Sequence, residues 1–172
     1  MITVSAPPPS TARLRFETAA GIQRISDMIT WVTRSPLISH VEAVLFDGTI
    51  VAALINKPVG HYPNDYQNNI THQILVDIPM TDARYKKWVK ALMRRIGEPY
   101  DYMAVAGVLL NTGLRSRGYD CSNLQAAALV ECGELKLPEG ASVVGVSPLD
   151  LYRILYNDPR AIKHPPESAQ ES

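Results

Sequence analysis

The sequence predicts an α+β fold built on one antiparallel sheet. Several segments alternate apolar and polar residues, which is typical of strands that bury one face. Two of them are joined by Asp47-Gly48, a dipeptide that strongly favours a tight β-hairpin. Other segments have helical periodicity and begin at residues that cap helices. A length of 172 residues is typical of one domain with one hydrophobic core.

Most of the predicted strands lie in the first half of the chain. We expect a loop from Lys57 to Asn69, because this segment contains Pro, Gly, Asn and Asp residues. Val143–Val146 is expected to form a further short strand because it is rich in β-branched residues. The remaining predicted strands are residues 13–18, 37–46, 49–55 and 70–78.

The predicted helices alternate with loops that contain Gly or Pro. Thr81 or Asp82 is expected to cap the second of them, and Ser147 the last, with Pro148 at its first helical position. The predicted helices are residues 26–35, 82–96, 103–110, a segment that begins near Cys121, and residues 148–156.

The ends of the chain differ in composition from the middle. Residues 1–11 are expected to form a flexible arm, residues 12–157 a single domain, and residues 158–172 a disordered polar tail. The 17 basic and 17 acidic residues cancel, so neither nucleic acid nor an anionic membrane is an expected partner. No apolar run has the length of a membrane span, and residues 1–10 lack a signal-peptide pattern, so cytoplasmic synthesis is expected.

The segment Gly118–Leu129 gives the strongest indication of chemistry. Cys121 lies between Asp120 and Ser122, either of which can cap the helix that the following alanines and leucines favour. Free N–H groups and the macrodipole at a helix N-terminus stabilise a thiolate nucleophile. The alternative is a small, buried structural cysteine. Cys132 lies roughly 16 Å further along the same helix, too far for a disulfide, and is expected in the core.

A histidine and a carboxylate share one face of the predicted hairpin. Side chains alternate along a strand, so His40 and Glu42 point the same way, which makes His40 a candidate base. The alternatives are a hydrogen-bonded histidine at a strand end and a salt-bridged carboxylate. His40, Glu42, His61 and Cys121 are all residue types that bind metals, but no pair has the close spacing of metal ligands. We therefore expect neither a metal nor a cofactor.

Two motifs contain these candidate residues. The first is Gly97-x-Pro99-Tyr100, followed about twenty residues later by Asp120-Cys121-Ser122 and a helix. The second is the hairpin that begins Ser39-His40-Val41-Glu42. Together they resemble the NlpC-type papain-like cysteine peptidases, over roughly residues 37–155. The resemblance implies a papain-like fold in which the nucleophile-bearing helix packs against an antiparallel sheet, with Tyr100 near the nucleophile; the alternative for Tyr100 is a tyrosine packed at a helix start.

The order of the two motifs differs from the standard family. His40 precedes Cys121 here, which resembles the circularly permuted branch that includes the YiiX-like hydrolases and the lecithin retinol acyltransferase-like proteins. Phage-encoded proteins with a Ser-His-Val-Glu hairpin are also similar. The position of the family's third catalytic residue falls at Ala52, which cannot orient an imidazole. Either the site is a dyad or another group substitutes, with Glu42 the first candidate and Asn56 the second.

The resemblance implies a cysteine hydrolase, an amidase or peptidase that works through an acyl-enzyme. His40 would take the Cys121 proton, and the Cys121 backbone N–H with the Tyr100 hydroxyl would stabilise the oxyanion. Glu42 would fix the imidazole tautomer. The expected partner is a peptide, amide or ester substrate. Peptidoglycan stem peptides of the bacterial cell wall lead by resemblance, and lipid-type esters come next.

A non-enzymatic function on the same fold is the alternative. The chain would then be a structural or interaction protein, such as a phage virion or tail component with virion proteins as partners. Ala52 at the usual third position favours this alternative, whereas the presence of Cys121, His40 and Tyr100 together favours the hydrolase.

Overall fold

The computed structural model describes residues 4–19, 38–66, 70–102, 118–137, 140 and 142–168. Within these ranges the protein is α+β, as predicted, with one antiparallel sheet and three helices. The strands are β1 (Thr11–Ala19), β2 (His40–Val44), β3 (Ile50–Ala52), β4 (Gly60–Tyr62), β5 (Ile70–Pro79), β6 (Ile162–Lys163) and β7 (Glu167–Ser168). The helices are α1 (Asp82–Met93), α2 (Cys121–Cys132) and α3 (Pro148–Tyr156).

The sheet has the order β4-β3-β2-β1-β5-β6, and β7 also pairs with β5. β1 therefore lies in the middle, between β2 and β5. Its register with β2 sets Arg15 opposite Glu42 and Glu17 opposite His40. Its register with β5 sets Glu17 opposite Gln73. Side chains opposite one another in register project from the same face of the sheet, so this pairing brings His40, Glu17 and Gln73 into one row.

The two faces of the sheet are both buried but differ in chemistry. The helix face carries apolar side chains that form the main core with α1, α2 and α3, including Leu14, Phe16, Val41, Ala43, Val51 and Val76. The opposite face, which we call the charged face, carries the buried side chains Arg13, Arg15, Glu17, Glu42 and Asp77. A smaller apolar cluster of Val4, Val44, Ile50, Ala52 and Leu75 lies on that second face.

The predicted helix starts are confirmed at the atomic level. The Thr81 side chain accepts a hydrogen bond from the Arg84 N–H at the start of α1. Ser147 and Asp150 form a reciprocal capping box at the start of α3, with Pro148 at its first position. α1 ends at Met93 rather than at the predicted residue 96, and a turn follows it.

Two short segments differ from the sequence prediction. β4 lies within the expected loop and pairs with β3, which places His61 opposite Val51. Val143–Val146 forms a turn rather than a strand, since the Val146 N–H bonds the Val143 carbonyl and Gly145 has φ +91°. β-branched residues favoured a strand there, but the positive φ at glycine makes the chain turn.

Both expected flexible ends have ordered parts that pack on the sheet. Val4 is buried, and its backbone is hydrogen-bonded to the Asn64 side chain. Residues 162–163 and 167–168, which we expected to belong to a disordered tail, pair with β5 as β6 and β7. Neither the N-terminal segment nor the C-terminal one has strand-like alternation in its sequence. Their order therefore comes from what they contact, the Asn64 loop for Val4 and the edge strand β5 for β6 and β7.

The predicted helices at residues 26–35 and 103–110 lie outside the described residues. Among the residues that the structure describes, no helix is both long and apolar enough to cross a membrane.

Candidate functional site

Cys121 is the first residue of α2, as the sequence predicts. Asp120 caps the helix, with its Oδ1 accepting the Asn123 N–H at 2.7 Å and its Oδ2 accepting the Asn123 side-chain N–H at 2.8 Å. The approach to the helix requires glycine at 118, where φ is +134° and a Cβ would lie 2.1 Å from the Pro99 carbonyl oxygen. This close approach of the Gly118 and Pro99 backbones fixes the position of the start of α2, and therefore of Cys121.

The Cys121 thiol is buried, with 5% of the residue exposed. Burial raises the pKa of the thiol to about 12, and the nearby Asp120 carboxylate contributes to the increase. The backbone N–H groups of Val41, Ser122 and Cys121 itself act in the opposite direction and lower the thiol pKa. The sulfur is therefore a neutral thiol that faces backbone donors.

Tyr100 lies beside the start of α2. A bridge pairs its backbone with Tyr119, the Tyr119 N–H bonds the Pro99 carbonyl, and the Asp101 N–H bonds the Tyr119 carbonyl. Burial raises the pKa of the Tyr100 phenol, and the negative charges that Cys121 and Asp120 carry when ionised raise it further. The phenol is thus protonated, and it lies close enough to Cys121 for the two groups to interact electrostatically.

His40 and Glu42 share the charged face, as their alternation predicts. The His40 Nε2 lies 3.8 Å from the Glu42 Oε2, and its side chain is 16% exposed. This separation is too long for a hydrogen bond. The Glu42 carboxylate is held instead by Arg15 through Oε1 and by the Tyr66 hydroxyl, which donates to Oε2 at 2.5 Å.

Glu17 completes a buried cluster that the sequence analysis did not single out. It lies opposite His40 in register, and its Oε2 is 3.2 Å from the Arg15 Nε. The side chains of Arg15, Glu17 and Glu42 are fully buried. The cluster therefore sets two carboxylates and one imidazole around a single guanidinium.

Burial shifts the pKa values of the cluster toward neutral forms. Burial and, to a smaller extent, the Arg15 charge together lower the His40 pKa to about 4. Burial raises the Glu17 pKa well above the usual value, an effect strengthened by Glu42 and opposed by Arg15. The Glu42 pKa is raised less, because Arg15 and the Tyr66 hydroxyl stabilise its ionised form. Glu42 is thus the carboxylate better suited to carry the charge, and Glu17 the one better suited to hold a proton.

The backbone next to the predicted base lies beside the predicted nucleophile, but the two side chains lie on opposite faces of the sheet. The N–H that faces the Cys121 sulfur belongs to Val41, the residue after His40. The His40 ring projects to the charged face, whereas Cys121 packs in the core on the helix face. No hydrogen bond joins the two side chains, both of which lie in the described ranges, and the His40 Nε2 has no hydrogen-bond partner.

The other sequence candidates are not joined to His40. Ala52 lies on β3, in the row that contains Glu42 and Arg15 by extension of the strand registers. The Asn56 side chain accepts a hydrogen bond from the Tyr102 hydroxyl at 2.8 Å. The His61 Nε2 lies 2.6 Å from the Thr49 hydroxyl at the exposed tip of the hairpin.

One group of side chains has distances that a metal ion could bridge. Glu17, His40 and Glu42 each offer a ligand atom, and these atoms lie within 4.8 Å of one another. Arg15 already contacts both carboxylates, however, and supplies the positive charge that a cation would supply. Glu17, His40 and Glu42 are therefore better arranged to bind the Arg15 guanidinium and share a proton than to bind a divalent ion.

Pairing of β1 with β2 is what makes Glu17 part of the site. The only sequence signal was the complementary pattern of Arg15 and Glu17 on one strand with His40 and Glu42 on another, each two residues apart. That pattern has meaning only once the two strands are known to be neighbours in this register.

Comparison of the chain with protein-family models, with curated proteins and with solved structures finds no match. The family resemblance therefore depends only on the motifs around His40, Tyr100 and Cys121.

Proposed function

We propose that the protein is a cysteine hydrolase that cleaves amide or ester bonds through an acyl-enzyme on Cys121. The observation that carries the proposal is the position of the thiol at the N-terminus of α2, facing the N–H of the residue that follows His40. A nucleophile, a general base and backbone donors are the components that acyl transfer to a thiol requires.

The proposed reaction has two balanced steps. The Cys121 sulfur attacks the carbonyl carbon while its proton passes to His40, and collapse of the tetrahedral intermediate expels the amine or alcohol, which takes that proton. Water then attacks the thioester while His40 accepts its proton, the acid leaves, and His40 returns the proton to the Cys121 sulfur, which restores the thiol. A neutral thiol and a neutral imidazole are the correct starting forms for this general-base route.

The N–H groups beside the sulfur support stabilisation of the oxyanion. Those of Cys121 and Val41 come from two different elements and face the same atom. The protonated Tyr100 hydroxyl is a further donor beside the cysteine. We propose peptidoglycan stem peptides as the first substrate class, because the motifs resemble those of peptidases that act on the bacterial cell wall, and lipid-type esters as the second.

The test is to trap the acyl-enzyme. The protein is incubated with activated esters and with soluble muropeptides, and the intact mass and the modified peptide are measured. We expect an acyl adduct on Cys121 and product release, both abolished in Cys121→Ala and reduced roughly 100-fold or more in His40→Ala. Cys132→Ala is the matched control, since Cys132 is also buried but lies at the other end of α2.

A non-enzymatic structural or interaction role is the second candidate. It is favoured by the burial of Cys121, which raises the thiol pKa to about 12, and by the lack of a hydrogen bond from the thiol to His40. Under this alternative no substrate gives an adduct on Cys121. Alkylation then stays equally slow in the unmodified protein and in His40→Ala up to about pH 9, because both retain a buried neutral thiol.

A further inference from the structure

The fully buried Glu17 and the partly buried His40 face each other across β1 and β2 without a hydrogen bond. Glu17 lies directly opposite His40, and ligand atoms of the two side chains are within 4.8 Å. Among the residues that the structure describes, neither Glu17 carboxylate oxygen has a hydrogen-bond partner, and the His40 Nε2 has none either. Unpaired buried polar atoms are costly, so a shared proton between these two side chains would lower the free energy of the folded state.

Glu42, the first sequence candidate for orienting His40, has its oxygens committed elsewhere. Its Oε1 contacts Arg15, and its Oε2 accepts the Tyr66 hydroxyl at 2.5 Å. Within the described part of the chain, Glu17 makes an ion pair from Oε2 to the Arg15 Nε, and its Oε1 has no hydrogen-bond partner. Glu17 is therefore the carboxyl group better able to accept a hydrogen bond from the imidazole.

We propose that Glu17 is the positioning residue for His40, in place of the usual group at Ala52. Its carboxylate accepts a hydrogen bond from the His40 Nε2–H and leaves Nδ1 unprotonated, as the nitrogen that takes the Cys121 proton. The role of Nδ1 rests on the proposed hydrolase function, whereas the hydrogen bond between Glu17 and His40 does not.

The proposal has a built-in dependence on pH. When Glu17 is protonated its O–H donates to Nε2, so the imidazole carries its proton on Nδ1 and cannot act as the base. When Glu17 ionises, Nε2 becomes the donor and Nδ1 becomes free. Arg15, Glu42 and the Tyr66 hydroxyl face the same space, and Gln73 lies beside Glu17 on β5. Burial raises the Glu17 pKa well above its usual value, so we expect the change of tautomer at higher pH than for an exposed glutamate.

The first measurement is the tautomer of His40 by NMR of the protein with 15N-labelled histidine. The His40 signals are assigned from their absence in His40→Gln. We expect the Nδ1–H tautomer at low pH, although above the His40 pKa of about 4, and the Nε2–H tautomer at high pH. In Glu17→Gln the amide carbonyl accepts from Nε2–H at every pH, so the change should disappear. Asp77→Asn is the matched control, because Asp77 is buried on the same face but bonds Arg13.

The second measurement is the pH profile of kcat on a substrate that acylates Cys121. In the unmodified protein kcat should rise as Glu17 loses its proton. Glu17→Gln should keep most of kcat and lose that rise, whereas Glu17→Met, which lacks an acceptor, should lower kcat roughly 100-fold with little change in KM. Thermal unfolding of each variant checks that it is folded.

The outcomes separate this proposal from the hydrolase proposal. A tautomer change that requires Glu17, in a protein with no acyl transfer, supports the positioning role and refutes the hydrolase. Acyl transfer with an unchanged pH profile in Glu17→Met and Glu17→Gln overturns the positioning role alone. A His40 tautomer that stays constant with pH in the unmodified protein overturns it even if no variant folds. Stabilisation by Zn²⁺ that Glu17→Gln abolishes would also overturn it, since Glu17 would then be a metal ligand.

Discussion

The helix face and the charged face of the sheet both carry buried side chains, but they depend on different interactions. On β1, Leu14 and Phe16 enter the apolar core, while their neighbours Arg15 and Glu17 are fully buried on the other side. Removal of apolar surface from water stabilises the first face, and that effect needs no partner of specific geometry. The second face is stable only where each charge has a partner.

The charged face therefore places stricter requirements on its side chains, because each buried charge needs a partner. It is also the face whose side chains can exchange a proton. One guanidinium between two carboxylates leaves an uncompensated negative charge unless a proton neutralises it. The imidazole of His40 is the group beside the cluster that can accept or return that proton. Close packing of apolar side chains stabilises the helix face, whereas the stability of the charged face depends on which group holds one proton.

Removal of the guanidinium should have the largest effect on stability. Arg15→Leu leaves Glu17 and Glu42 buried without their shared cation, so we expect a loss of about 4 kcal/mol in the free energy of unfolding at pH 7. Urea unfolding measures this loss, and protonation of the carboxyl groups should reduce it at pH 4. The double variant Arg15→Leu with Glu42→Leu removes the pair together and should be clearly more stable than the single variant. Equal losses in the single and double variants would contradict the ion-pair explanation.

Truncation on the opposite face should cost slightly less. Leu14→Ala removes a fully buried side chain from the main core, and we expect a loss of about 3 kcal/mol. The loss should be independent of pH between about 4 and 7, because Leu14 touches the apolar core rather than the charged cluster. A pH-dependent loss like that of Arg15→Leu would show that the two faces are not independent.

Local sequence signals were sufficient for the helix face. Alternation predicted β1 and β5, Asp47-Gly48 predicted the hairpin of β2 and β3, and Thr81 and Ser147 marked the starts of α1 and α3. Each of these signals acts over a few residues, so it can be recognised before the fold is known. The sharing of one face by His40 and Glu42 follows from strand alternation for the same reason.

The charged face could not be predicted in the same way. The alternating pattern of β1 predicts that its polar residues, Arg15 and Glu17, face solvent. A periodic pattern does not show whether another part of the chain covers the polar face. Arg15 bonds Glu42, whose other carboxylate oxygen accepts from the Tyr66 hydroxyl, and both of these residues lie far from Arg15 in the chain. Glu17 was missed as a site residue because its position opposite His40 arises from strand register. β4 was missed because three residues carry too little periodicity.

Asp120 is a buried carboxylate beside the helix face, and its ionisation should lower the free energy of unfolding. Burial raises its pKa from the ordinary value of 3.8 to about 6. The folded state therefore prefers the protonated acid, and stability falls as pH rises from about 4 through about 6. Asp120→Asn removes this titration, so its stability relative to the unmodified protein should improve by about 2 kcal/mol between pH 4 and pH 6.5. Urea midpoints across this range check the sign, and a relative decline of the Asn variant would refute it.

The smallest effect on the free energy of unfolding is expected where residues 4–10 cover the charged face. The Asn64 side chain accepts from the Val4 N–H at 3.4 Å and donates to the Val4 carbonyl at 2.5 Å, while Arg13 donates to the Ser5 carbonyl at 2.6 Å. Asn64→Ala removes the first two bonds but keeps the third. We expect a loss of about 1 kcal/mol or less in global stability.

Hydrogen exchange is the sharper measurement for this variant. The Val4 amide should exchange at least several-fold faster in Asn64→Ala, because its hydrogen-bond acceptor is gone. Amides in the centre of β1 should keep their protection, since their bonds to β2 and β5 are untouched. If the amides of β1 also lost protection, residues 4–10 would be part of what keeps water from Arg15 and Glu17. Unchanged exchange at Val4 would instead mean that its burial beside Leu75, rather than Asn64, holds it in place.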